Sequence, residues 1–187
     1  MAKSMVGKFR IGISPSVIVG AVVNGKANYI TLGQCGGLSM NPPMVYVSIN
    51  KVHYTNAGIK ENGYFSVNIP SDNVVQKMDY VGLFSGRDVD KSGVFTIFHG
   101  EVDKAPMIEE CPANMLCKVV NVVDLPNYDV FFGEIIETYM NQDCLTDEKP
   151  DMKKINQVFL SGGKYCHVGN ECGNAFSDGK ALIKDNE

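Results

Sequence analysis

The sequence carries no surplus of positive charge. Its 187 residues hold 17 Lys and Arg against 21 Asp and Glu, a net charge of −4. A nucleic-acid binder needs a basic footprint to displace phosphate counterions, so nucleic acid is not an expected partner. No apolar run approaches the roughly 18–20 residues that span a bilayer. The run over residues 17–23 is interrupted by Gly20 and closes on Asn24-Gly25, a two-residue hairpin signal. It therefore reads as a strand rather than a membrane span or a signal peptide, and neither membrane nor secretion is expected. No Asn-x-Ser/Thr sequon occurs, which also disfavours the secretory route. The six cysteines lack the spacing of structural zinc, because Cys111–Cys117 and Cys166–Cys172 each leave five residues between them where two to four are usual. Their even number is compatible with three bridges, yet a chain of this length does not need staples. Free thiols in a reducing cytoplasm are the expectation, with no metal site.

Two nucleotide-binding motifs are missing as well. Gly33-x-x-Gly36-Gly37 lacks the dinucleotide spacing, and Gly173 to Gly179-Lys180 ends in Ala181 where a P-loop requires Ser or Thr. There is no Ser/His/Asp arrangement or carboxylate pair, so no side chain is singled out as catalytic. No composition break or internal repeat divides the chain, and a single domain over residues 1–187, with its core at about 14–182, is expected.

The patterns that are present are mostly those of strands. Residues 17–23 are β-branched, and the return strand runs from Lys26 through Thr31. The glycines at 33, 36 and 37 break regularity ahead of Asn41-Pro42-Pro43, so a new strand begins at Met44 and runs to Ile49. Thr55 is a suitable cap for a short helix ending near Gly63, followed by an alternating strand over 64–69 that stops at Pro70. Ser71 caps a second helix to about Val81, with Val74, Val75, Met78 and Val81 on one face. Further strands are predicted at 94–99, 115–123, 130–139 and 158–160, with an exposed connection over 141–154. Many short strands with two short helices between them indicate a mainly β protein, an antiparallel barrel or sandwich with helical insertions.

Three segments in order carry a resemblance. They are Asn28-Tyr29-Ile30-Thr31 followed by Ser39-x-x-Pro42-Pro43 and the strand to Ser48-Ile49; residues 55–68, ending in Gly63-Tyr64-Phe65-Ser66-Val67-Asn68; and Asp79-Tyr80-Val81-Gly82-Leu83-Phe84-Ser85-Gly86-Arg87-Asp88-Val89-Asp90-Lys91. A weaker likeness lies in Tyr165, Gly169, Ala175-Phe176 and Gly179-Lys180. Together they resemble the flavin reductase-like proteins with an FMN-binding split barrel, most closely the flavoredoxin branch. The resemblance implies a homodimeric, six-stranded antiparallel Greek-key barrel with one noncovalent FMN near the dimer interface. It implies an oxidoreductase that takes hydride from NAD(P)H and passes electrons to flavin, a ferric complex or a partner protein. A flavoredoxin-type electron carrier without efficient NAD(P)H oxidation of its own is the alternative.

The same residues have a physical reading. A reduced flavin gathers negative charge along its pyrimidine edge, and backbone N–H groups aimed there stabilise it. The segment Asn28, Tyr29, Ile30, Thr31, Leu32 and Gly33 leaves a strand for a glycine-rich turn and can present such groups; a plain β-turn is its other reading. Ser48, Asn50, Lys51, His53 and Thr55 cluster after a strand and at a helix start, which suits a phosphate, or else form an exposed polar loop with Thr55 as a cap. The segment 85–91 is a solvated loop of local ion pairs, or a loop beside the flavin in which Arg87 or Lys91 meets the cofactor or the phosphates of the nicotinamide donor. His99 is expected to be structural, His167 to stand near the site, and Cys35 to be a small buried thiol.

Overall fold

The computed structural model describes residues 1–8 and 11–182; residues 9, 10 and 183–187 lie outside it. After a short strand β1 (Ile13–Pro15), β2 (Val17–Val23) and β3 (Lys26–Leu32) form the expected hairpin, paired from Val17↔Leu32 to Val23↔Lys26. Asn24 and Gly25 turn at φ 49° and 74°, a conformation that favours Asn and Gly over other residues. The glycine-rich stretch differs from expectation. Only Gly33 and Gln34 break the chain, and Cys35 to Met40 form β4 (Cys35–Met40), folded back on β5 (Pro43–Asn50). Glycine weakens a strand without forbidding it, and pairing with β5 holds this one. The strand after the two prolines begins at Pro43, one residue earlier than predicted.

Next come α1 (Tyr54–Asn62), β6 (Tyr64–Ile69), a 3₁₀ turn over Asp72–Val74 and α2 (Val75–Leu83). Gly63 closes α1 in the left-handed region, as a C-terminal glycine should. Of the strand predicted over 94–99, only β7 (Ile97–Phe98) forms, paired with β8 (Met107–Ile108). The long hairpin of β9 (Ala113–Asp124) and β10 (Tyr128–Met140) extends further than predicted. The connection read as irregular contains β11 (Leu145–Thr146), β12 (Lys149–Pro150) and one turn of helix, α3 (Met152–Ile155). β13 (Phe159–Ser161) and β14 (Lys164–Cys166) add to β1 as a small separate sheet. No helix among the described residues is long and apolar enough to cross a membrane.

The main sheet runs β3-β2-β6-β9-β10-β5-β4, antiparallel throughout, with β3 and β4 as its two ends. These strands are consecutive in sequence yet unpaired with each other. The sheet is rolled, because every one of its strands gives an inward residue to one cluster that includes Val19, Ile30, Cys35, Val47, Phe65 and Phe131. Ile59 of α1 belongs to the same cluster. The architecture is a mainly β split barrel.

β2 is apolar on both faces because it is covered on both. Val17, Val19 and Ala21 point into the barrel, while Ile18 joins a second core with Tyr29, Met78, Val81 and Phe95 beneath α2. α1 lies against β2 where Gly58 meets the Val22 carbonyl; a Cβ at Gly58 would stand 2.4 Å from that oxygen. In an ordinary helix interior Gly→Ala stabilises by about 1 kcal/mol. Here Gly58→Ala is expected to do the reverse, costing about 1–3 kcal/mol in urea unfolding, because the obstacle is backbone and cannot rotate away. A stabilised variant would show that α1 does not sit this close to β2.

Candidate functional site

The free edge of β3 is where the chemistry gathers. In the β2–β3 register, the even-numbered residues of β3 face the odd-numbered residues of β2 in hydrogen-bonded pairs. Tyr29 and Thr31 therefore turn their N–H and C=O groups to the open edge, and the Tyr29 carbonyl is met there by Lys91. The side chains alternate as well. Ile30 and Leu32 enter the barrel core, Tyr29 enters the second core, and the Thr31 hydroxyl donates to the Met78 carbonyl of α2.

Lys91 fixes the following loop against this edge. Its Nζ donates to the carbonyls of Tyr29 (3.0 Å) and Val81 (2.8 Å), and the residue is only 4% exposed. Carbonyls solvate the ammonium but do not neutralise it, and burial lowers its pKa to about 8. A further N–H remains beyond the two bonds. The chain beside it approaches closely: a Cβ at Gly86 would lie 2.0 Å from Asn28 Oδ1. Asn28 in turn donates through Nδ2 to the Thr55 hydroxyl at 2.7 Å, with both residues buried. Thr55 thus sits inside α1 as an acceptor rather than capping it. The N-cap is His53, which makes no side-chain capping bond, so the first N–H groups of α1 lack a side-chain acceptor.

Between β3, the start of α1 and the turn after α2 lies a cleft of about 200 Å³, lined by Asn28, Ile30, His53, Thr55, Gly82 and Lys91 among others. Arg87 donates to the Val52 carbonyl and lies 5.5 Å from the centre of the Tyr54 ring, closing the loop over this cleft. A second space of about 340 Å³, also lined by Asn28, Tyr54, Arg87 and Lys91, continues on the far side of Tyr54 and Gly86. Burial, with the charges of Lys91 and Arg87, holds His53 below its ordinary pKa. Three basic side chains thus meet at a helix N-terminus, and no carboxylate among the described residues pairs with Lys91. That combination is built for an anion.

Not every candidate residue converges here. Thr31, Leu32 and Gly33 line a separate cleft of about 240 Å³ that shares only Gly82 and Leu83 with the first. Ser48 and Asn50 stand on the face of β5 opposite Val47 and Ile49, and the Asn50 side chain accepts from the Val52 N–H at 3.1 Å. Lys51 pairs with Asp124 at the hairpin end, and its N–H donates to the Asn127 carbonyl. None of these three lines either cleft. His99 lies in a shallow space with Asp103 and Lys104, and His167 stands 3.6 Å from Asp72 on the surface. Cys35 is a core thiol that burial pushes up to about 12, unreactive at neutral pH. The sequence reading missed Asp79, whose Oδ1 accepts from the Tyr165 hydroxyl at 2.7 Å in the third cleft. The segment containing Asp79 was legible, but the pairing with a residue 86 positions away was not.

The model of the flavin reductase like domain family matches residues 10–168. The chain belongs to the flavin reductase-like family. Among solved structures, it is similar to a flavoredoxin from Methanosarcina acetivorans, 43% identical over 98% of this chain and 100% of that one, with TM-score 0.93. A flavoredoxin from Desulfovibrio vulgaris is 31% identical over 96% of this chain and 100% of that one, with TM-score 0.86. An FMN-binding protein from Thermus thermophilus shares the fold at TM-score 0.78, with 22% identity over 93% of this chain and 97% of that one. A dianion held in the first cleft would raise the pKa of Lys91, so its binding would be coupled to keeping that proton. Affinity for a dianion should therefore be full below pH 8 and fall as pH rises past about 8. Millimolar sulfate should raise the thermal midpoint at pH 7 more than at pH 9.5, and Lys91→Met should abolish the difference. A sulfate effect that ignores both pH and this substitution would place the anion elsewhere.

Proposed function

We propose that this flavin reductase-like protein is an FMN-binding oxidoreductase that takes hydride from NAD(P)H and passes electrons to free flavin, a ferric complex or a partner protein. The observation that carries the reading is the buried Lys91 ammonium, paired with no carboxylate among the described residues, beside an uncapped helix start and a free strand edge. FMN makes two demands of a protein, a dianion site for its phosphate and hydrogen-bond donors for its pyrimidine edge. The residues around the first cleft fit the phosphate: Lys91 supplies charge, Arg87 adds charge from the adjoining space, and Thr55, His53 and the first N–H groups of α1 supply donors. The open N–H groups of Tyr29 and Thr31 fit the second demand. When bound, FMN supplies the hydride-accepting chemistry, and no side chain need act as acid or base. The chain's part is to hold the phosphate, present backbone donors along β3, and keep Leu83 as an apolar wall.

The likeness to two flavoredoxins favours a second reading, an electron carrier reduced by partner proteins instead of by a nicotinamide. Anaerobic mixing of the flavin-loaded protein with NADH or NADPH separates the two. Prompt bleaching of the visible flavin band is the reductase outcome; a band that persists until a protein partner is added is the carrier outcome. We also infer a homodimer in the reducing cytoplasm. Supporting this are the protruding end of the β9–β10 hairpin, where Val120, Val122, Val123 and Leu125 are exposed, and free thiols that include the exposed Cys166 and Cys172. Light scattering should give twice the 20.4 kDa chain mass.

Thr55→Val removes the acceptor of the Asn28 amide and a polar atom of the cleft, and Lys91→Met removes the buried charge. Each should weaken FMN binding at least about tenfold, about 1.4 kcal/mol, in a fluorescence titration. Unchanged affinity in both variants would move the phosphate away from α1.

A further inference from the structure

The third cleft, about 240 Å³, is set apart from the basic one by its chemistry. It lies between the end of β3, α2 and the β13–β14 hairpin, and is lined by Ser16, Thr31, Asp79, Leu83, Leu160 and Tyr165 among others. It has no cation. Its polar end is the pair Tyr165–Asp79, in which the Tyr165 hydroxyl donates to Asp79 Oδ1 at 2.7 Å. Burial, and then the neighbouring Asp79, push the Tyr165 phenol up to about 12, so the proton stays on Tyr165 and points at the carboxylate. The pair can then offer a ligand only acceptors, the phenol lone pair and the second carboxylate oxygen. Ser16, 2% exposed, lines the same cleft and carries a hydroxyl that can donate. Leu83 and Leu160 supply apolar walls.

A site with a carboxylate and a phenol oxygen at one end rejects anions and selects N–H donors. The Ser16 hydroxyl in the same cleft can donate to a carbonyl. An apolar slot with an N–H acceptor and a C=O donor is the complement of an aromatic primary amide. Because this cleft shares Gly82 and Leu83 with the basic cleft, an occupant would lie beside whatever fills the first. We propose that the Tyr165–Asp79 pair and Ser16 form a carboxamide subsite that takes the nicotinamide amide of the hydride donor, its NH₂ toward Asp79 and Tyr165 and its carbonyl toward Ser16. The inference rests on the oxidoreductase reading above for the identity of the donor, but the subsite can be tested without turnover.

Free nicotinamide and nicotinic acid, which differ only in amide against carboxylate, are the probes. Titrated into the flavin-loaded protein and followed by NMR, nicotinamide should perturb Tyr165 and Ser16 and bind at least about tenfold more tightly than nicotinic acid. Asp79→Asn keeps an oxygen to accept the Tyr165 hydrogen bond but removes the charge, so it should narrow that preference several-fold while leaving FMN retention unchanged. A purely structural role, tying β14 to α2, would not move the preference. In anaerobic reduction, Asp79→Asn and Ser16→Ala should raise KM for NADH or NADPH with little change in kcat. Equal binding of the two probes, or perturbation confined to residues outside this cleft, overturns the subsite. Reduction by NAD(P)H with KM unchanged in both variants also overturns it and leaves the oxidoreductase reading standing. Amide selectivity in a protein that no nicotinamide reduces would keep the subsite and sink the reductase.

Discussion

The contact on which the site depends is that of the Lys91 ammonium with the carbonyls of Tyr29 and Val81. One carbonyl belongs to the free edge of β3 and the other to the last turn of α2, so a single side chain ties the loop after α2 to two elements. Burying an ammonium is costly unless its donors are met, and two good carbonyl acceptors offset much of that cost. They do not cancel its charge. A carboxylate in that place would have made a tighter local structure and an electrostatically silent cleft. Carbonyls leave its positive field standing beside the cleft, where Arg87 adds to it.

The opposite wall of the cleft is held by a different network. The Asn56 side chain of α1 donates to the Ile49 carbonyl (3.2 Å) and to the buried carboxylate of Asp129 (2.9 Å), while Lys60 pairs with the same carboxylate at 2.7 Å. This fixes the first turn of α1 against β5 and β10. Asn28 then bridges the walls by donating to Thr55, and the absent side chain of Gly86 lets the loop close onto Asn28 and Tyr54. The cleft is thus framed by hydrogen-bonded elements on both sides, while the Arg87 contact with the Val52 carbonyl is exposed to water. A site of this kind loses little conformational entropy when filled.

The parts legible in the sequence are those where one local rule decides the outcome. Asn24-Gly25 turns because its φ values demand those residues, Gly63 ends α1 for the same reason, and the two-sided burial of β2 is written in its unbroken apolar run. Cys35 to Met40 escaped because glycine-rich sequence reads as loop, whereas pairing with β5 overrides that propensity. Residues 94–99 promised a full strand but lacked a partner of equal length, β8 being two residues long. At the site, Asn28, His53, Thr55, Arg87 and Lys91 were named and do meet. Ser48, Asn50 and Lys51 lie close to His53 in sequence but not in the cleft, because a strand alternates faces and the turn after it sends Lys51 toward Asp124. Proximity along the chain is a poor guide wherever a strand runs into a helix.

The unpaired ends of the sheet carry a final implication. A barrel closed between β3 and β4 would satisfy every backbone group and expose no edge, the safer arrangement against aggregation. Here α2 and the loop carrying Lys91 cover the β3 edge instead. They satisfy the Tyr29 carbonyl and the Thr31 hydroxyl but stand off the strand at side-chain distance, with Gly82 and Gly86 approaching Thr31 and Asn28 closely. The open backbone donors of Tyr29 and Thr31 are therefore kept by the same packing that protects the edge. An edge covered at side-chain distance excludes another strand yet admits a flat ligand. That is the physical sense in which leaving the barrel split produces a binding site, and it is why the basic cleft and the amide-complementary cleft lie along one strand, with Gly82 and Leu83 between them.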